Sequence, residues 1–146
     1  FAVPTLITYE ALARDGARLG LGAESVAKIA QVRAAGLKSL EILKTAGVRM
    51  AYGTDLLGAS HALQSEEFLI RAQVQSNLEV LQSATLIGAE LLNQVGVIGE
   101  IAAGARADLL LVDGNPLADL ACLTGQGERI PLVMQGGKLR VNELRA

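Results

Sequence analysis

The stretch Ala51 to Gly58, "AYGTDLLG", decides how this chain is read. A mainly apolar run, Val48 to Tyr52, stops at Gly53 and is followed by a hydroxyl, Thr54, and a carboxylate, Asp55. A buried strand that ends in an acid suits parallel α/β architectures, whose ligands lie at the C-terminal ends of strands. Upstream of it, Val26, Ile29, Val32, Gly36, Leu40 and Leu43 recur at steps of three or four and predict one face of a helix from about Glu24 to Ala46. Gly36 on that face costs about 1 kcal/mol relative to alanine, which close packing on a sheet offsets. Gly47 ends the helix in the left-handed conformation that glycine tolerates. Further upstream, "AVPTLIT" (Ala2–Thr8) reads as a short buried strand with Pro4 near its start, and a polar connection follows from Arg14 to Gly22. Strand, long helix, strand predicts a βαβ unit with a right-handed crossover.

Downstream, Ser65 is the predicted N-cap of "SEEFLIRAQV", with Glu66 and Glu67 in its first turn. "SNLE" (Ser76–Glu79) matches a capping box and opens another short helix. A third helix is predicted from about Ser83 to Asn93, with Ala84, Ile87, Gly88 and Leu91 on one side. Near Gly96 the pattern changes. Glycines 96, 99 and 104 read as turns, "ADLLLVD" as a strand and "DGNP" as a turn. "IPLVMQGGKLRVNEL" reads as two strands joined by a Gly136-Gly137 hairpin. The expected organisation is α/β over 1–95 followed by all-β over 96–146.

Composition agrees with elements buried on more than one face. Apolar residues make up 51% of the 146, charged residues only 19%, and the mean hydropathy is +0.37. No run of about 18 apolar residues marks a membrane span. The net charge is −2, with no basic stripe and no aromatic platform, which argues against a nucleic-acid partner. One cysteine, Cys122, excludes an internal disulfide. The sequence opens at Phe1 with no signal pattern, which reads as a fragment or a processed product; the expected setting is cytoplasmic.

At its strand tip Asp55 has two readings: a metal ligand or general base, or a side chain that caps the following turn. His61, six residues on in the loop, either approaches a substrate or is simply solvated. One histidine and one cysteine do not make a self-contained zinc site, which takes about four ligands. No Gly-x-Ser-x-Gly elbow and no phosphate loop is present.

The pieces "AGVRMAYGTDLLG", "HALQSEEFLIRA", "LEVLQSATLIGAELLN" and "GVIGEIAAGARADLLLVDGNPLADL", in that order, closely resemble the C-terminal part of the amidohydrolase superfamily, in its imidazolonepropionase-related and Xaa-Pro-dipeptidase-like subgroup. The resemblance covers essentially the whole chain and implies a specific fold. Residues 1–95 would be the last two strand-helix units of a (β/α)8 metal-dependent hydrolase barrel, and 96–146 part of a flanking small β-sandwich. It also implies a divalent metal, zinc as one or two ions, with Asp55 as ligand and as the group that takes a proton from the attacking water and returns it to the leaving nitrogen. Thr54, His61 and Gln64 would stand on the substrate side. The substrate would be an amide, a cyclic amide or a small peptide of Xaa-Pro or N-acyl amino acid type. The other ligands of that family's site have no counterpart here, so this chain alone is expected to be inactive and to hold no metal. Its expected partner is the missing N-terminal part of the barrel, or a second copy of itself, because open strand edges invite pairing. The alternative reading is a non-catalytic dimerisation or binding module.

Overall fold

The computed structural model describes residues 1–16 and 20–144, without the side chains of residues 23 and 26. Its first region is helical around one short parallel contact. Helix α1 (Ile7–Asp15) is followed by the long α2 (Ala23–Thr45), a 3-10 helix (Gly58–Glu66), α3 (Glu67–Arg71), α4 (Asn77–Ala84) and α5 (Leu86–Leu91). The second region holds β1 (Leu109–Leu111), two short 3-10 turns, β2 (Leu132–Gln135) and β3 (Lys138–Asn142).

The parallel pairing predicted between the segments around residues 2 and 50 is present, but as a single bridge between Ala2 and Met50. Arg49 O accepts from Ala2 N at 2.9 Å, and Ala2 O accepts from Ala51 N at 2.9 Å. Neither segment extends into a full strand, because a lone pair of short segments has no further strand to propagate its hydrogen bonds. Ile7 and Thr8, predicted to close the first strand, instead start α1. The reason is tertiary. Glu67 Oε2 accepts from Ile7 N at 2.7 Å, so a carboxylate from far along the chain supplies the partner that the first turn of a helix lacks. The predicted 14–22 connection thereby shrinks; residues 17–19 of it lie outside the described residues.

Helix α2 runs within one residue of its predicted limits, and Ile29 and Leu40 on the predicted face are buried. Gly36 faces Leu6: a Cβ there would stand 2.6 Å from Leu6 Cδ2, so any larger residue would make the leucine side chain shift. After α2, Gly47 takes φ 66 as predicted. Ser65 does not cap a helix; it lies inside the 3-10 segment, and α3 begins at Glu67 with no side-chain cap. The capping box at Ser76 and Glu79 forms as predicted. The predicted 83–93 helix is broken at Thr85 (φ −123, ψ −91). Its first two residues complete α4, and the Thr85 hydroxyl donates to Leu81 O at 2.8 Å, turning back on the preceding turn.

The β region is a three-stranded antiparallel sheet in the order β1-β2-β3. Gln135 pairs with Lys138 across Gly136 and Gly137, which take φ 55 and 76, the hairpin turn expected from two glycines. In the DGNP turn Asn115 Oδ1 accepts from Leu117 N at 3.1 Å. Glycines 96, 99 and 104 all have positive φ, consistent with turns. One small apolar cluster, Ile7, Ala11 and Leu56 with Leu63 and Ile70 against it, lies between α1, the 3-10 helix and α3. Its member Leu56 directly follows Asp55 in the chain.

Candidate functional site

The segment that carries Asp55 is fixed on both sides. Met50, Ala51 and Leu56 are buried, while Asp55 is exposed. Gly53 passes so close to the opposite segment that a Cβ would meet Val3 Cγ1 at 2.5 Å. The backbone then turns sharply: Asp55 has φ 50. An aspartate in the left-handed region costs on the order of 1 kcal/mol, so the surroundings must hold it there. Thr8 Oγ1 does so by donating to Asp55 O at 2.9 Å. Asp55 borders a cleft of about 610 Å³ walled by Thr8, Tyr9, Ala11 and Leu12 of α1 and by residues 56–60. Among the described residues no hydrogen bond engages its carboxylate oxygens, so the capping reading of Asp55 finds no bond here.

Of the other predicted residues, His61 and Gln64 have contacts of their own. Thr54 adjoins Asp55 in sequence and is half-buried. His61 Nε2 lies 2.6 Å from Leu56 O, and since a carbonyl only accepts, that nitrogen carries the hydrogen. Gln64 borders a different cavity, about 550 Å³, with Tyr52, Phe68, Gln126 and Ile130 among its walls, and its carbonyl accepts from Tyr52 Oη at 2.7 Å. Cys122 is buried, 1% exposed. Among the described residues no three His, Cys, Asp or Glu side chains come together to hold a metal ion. The side chains present therefore do not form the metal centre that the resemblance implies; Asp55 is a single carboxylate.

A buried pair adjoins this segment, of which the sequence reading singled out only Glu67, as an acid in a helix's first turn. Glu67 and Arg71 are both 0% exposed. Arg71 Nη1 donates to Ser83 Oγ at 2.8 Å and Nη2 to Ala51 O at 2.9 Å, and its guanidinium stands 5.7 Å from the centre of the Tyr52 ring. Arg71 Nε and Glu67 Oε1 are 3.3 Å apart but misaligned, so the ion pair there is not a hydrogen bond. Burial pushes the Glu67 carboxyl up to about 7, against the lowering effects of the Ile7 N–H and Arg71. Burial lowers Arg71 and raises Tyr52 from their ordinary values. The signal in the sequence was present: Glu67 and Arg71 are four apart in an otherwise apolar segment, the spacing of facing residues on one helix.

Comparison with known proteins agrees with this architecture. The sequence profile of the amidohydrolase family matches residues 2–139. A solved amidohydrolase structure is 58% identical with a TM-score of 0.92, over 98% of this chain and 35% of that one. A prolidase solved with N-methylphosphonate-L-proline is 53% identical with a TM-score of 0.91, over 97% of this chain and 35% of that one. Ochratoxinase from Aspergillus niger is 28% identical over 121 residues, 82% of this chain and 25% of the relative. The chain thus spans about a third or less of the length of the proteins it matches.

Proposed function

Because this chain belongs to the amidohydrolase family, we propose that it is the Asp55-bearing part of a hydrolase that cleaves C–N bonds, with small Xaa-Pro or N-acyl amino acid peptides as substrates. The chemistry sets the requirement. Water adds to the carbonyl carbon, the C–N bond breaks, one proton must leave the water and one must reach the departing nitrogen. A single carboxylate at the reacting atoms performs both transfers in turn. Asp55 suits that role because it is held at the end of a buried segment, beside a cleft, with no hydrogen bond engaging its carboxylate oxygens among the described residues. That observation carries the proposal.

The similarity to a prolidase bound to a proline phosphonate supports the peptide class. The parallel Ala2–Met50 bridge, with helices between its two members, supports reading residues 1–95 as strand-helix units of a barrel that the remaining length of the protein closes. Within the proposal Asp55 is also the one carboxylate this chain offers to a metal, and no step is derived through that metal. Thr54 flanks Asp55 on the substrate side. With Nε2 engaged by Leu56 O, His61 has Nδ1 left for a substrate, and Gln64 has its exposed side-chain amide.

The test is Asp55→Asn in the full-length protein, assayed on a panel of Xaa-Pro dipeptides. The expected loss in kcat is roughly 10²- to 10⁴-fold, the scale of a general base removed, with the circular dichroism spectrum unchanged. Turnover within a few-fold of the parent protein defeats the assignment.

A further inference from the structure

We propose that Thr8 is the positioning residue for Asp55: its hydroxyl holds the Asp55 carbonyl so that the carboxylate projects into the cleft. The inference rests on the preceding reading of Asp55 and extends it to a residue 47 positions away. Three observations converge on Thr8. Thr8 is the second residue of α1, so its own helix has no carbonyl one turn back for the hydroxyl to bond, and Oγ1 donates instead to Asp55 O at 2.9 Å. Asp55 is one of three non-glycine residues with positive φ among the described residues, and no other side-chain donor reaches its carbonyl there. Thr8 and Asp55 border the same cleft.

The placement of Thr8 is itself determined. Its neighbour Ile7 has its N–H held by Glu67 Oε2 at 2.7 Å, which fixes where α1 begins. Arg71, which pairs with Glu67, donates to Ala51 O at 2.9 Å, four residues before Asp55. One buried pair therefore sets both the helix that supplies the hydroxyl and the segment that receives it. The hydroxyl is the last link, and the only one at the cleft.

The experiment compares Thr8→Val, which keeps the shape and loses the donor, with Thr8→Ser, which keeps the donor, in the full-length protein. The substrate is the Xaa-Pro dipeptide that the parent protein hydrolyses fastest. For Thr8→Val, kcat is expected to fall roughly 10- to 100-fold, the scale of a catalytic group displaced by up to about 1 Å. KM should stay within about twofold, as expected when only transition-state interactions are lost. The melting temperature should hold, since the Asp55 carbonyl remains open to water. Thr8→Ser should restore kcat. Equal kcat for the valine variant and the parent, while Asp55→Asn is inactive, overturns the role of Thr8 and leaves that of Asp55 standing. Equal impairment of the valine and serine variants also overturns it, because the hydroxyl is then not the cause. An active Asp55→Asn protein removes the premise and with it this inference. A crystal structure of Thr8→Val gives a check that needs no substrate. Asp55 is expected to leave the left-handed region, and its retention at φ near the present 50 counts against the proposal.

Discussion

Between residues 1 and 95, many side-chain bonds reach far along the chain, and those of Glu67 and Arg71 are buried. Glu67 meets Ile7 60 residues away, and Arg71 meets Ala51 and Ser83 at separations of 20 and 12. Between 96 and 144 most side-chain bonds are local: Asn115 to Leu117, Asp119 to Ala121, Cys122 to Asp119, with Asp108 to Gly136 the long exception. In that second region only Leu120 and Cys122 are buried among the described residues, and Leu110, Leu139 and Val141 of the sheet lie exposed. The first region owes its shape to a few desolvated contacts between distant residues. The second owes it to turns whose backbone geometry glycines permit. Substitutions should therefore act through lost partners in the first and through φ in the second.

The largest effect is expected from Arg71→Met. Removing one member of a buried pair leaves the other charge uncompensated, at a cost of about 3–5 kcal/mol. Here it also strips a donor from Ala51 O and from Ser83 Oγ. Urea unfolding of the full-length variant measures this, and a loss under about 1 kcal/mol would break the contrast between the regions, since surface substitutions fall in that range. The partner residue gives a second handle. Glu67 titrates near 7 when folded and near 4.5 when unfolded, burial being the first cause. Between those values the folded state holds a proton that the unfolded state releases, so its stability falls as pH rises from about 4.5 to about 7 and levels above. The effect is a few kcal/mol at most. Urea midpoints should decline across this window in the parent protein and the decline should vanish in Glu67→Gln; a midpoint that rises with pH through the Glu67 window in the parent relative to Glu67→Gln contradicts the reading.

The same contrast explains which parts were legible in the sequence. Helix α2, the Ser76 capping box and the Gly136-Gly137 hairpin are encoded within a few residues, and each appears where its pattern placed it. The start of α1 was not legible. Ile7, Thr8 and Tyr9 carry the β-branched and aromatic character of a strand, and the carboxylate that turns them into a helix sits in α3. The limits of the two parallel segments depend on neighbouring strands, which no local pattern reveals. At the site, Asp55 was visible because a strand tip followed by an acid is a local signal. Thr8 was not, because its meeting with Asp55 exists only once α1 is in place. Thr85, which breaks α4 from α5, lies within the predicted span of the 83–93 helix, whose apolar side of Ala84, Ile87, Gly88 and Leu91 runs past it without interruption.

The smallest effect sharpens the comparison from the other side. Gly137 has φ 76, and a Cβ built there meets nothing within 4 Å. Gly137→Ala therefore adds no clash, only the left-handed penalty of an L residue, about 1–2 kcal/mol. Asparagine tolerates that region better than alanine does, through its short polar side chain. Gly137→Asn should then lie nearer the parent than Gly137→Ala in urea unfolding, although its side chain is larger. Packing would order the two variants the other way. If alanine proves gentler than asparagine, the hairpin is governed by contacts of the side chain after all, and the β region would be built on the same terms as the helical one.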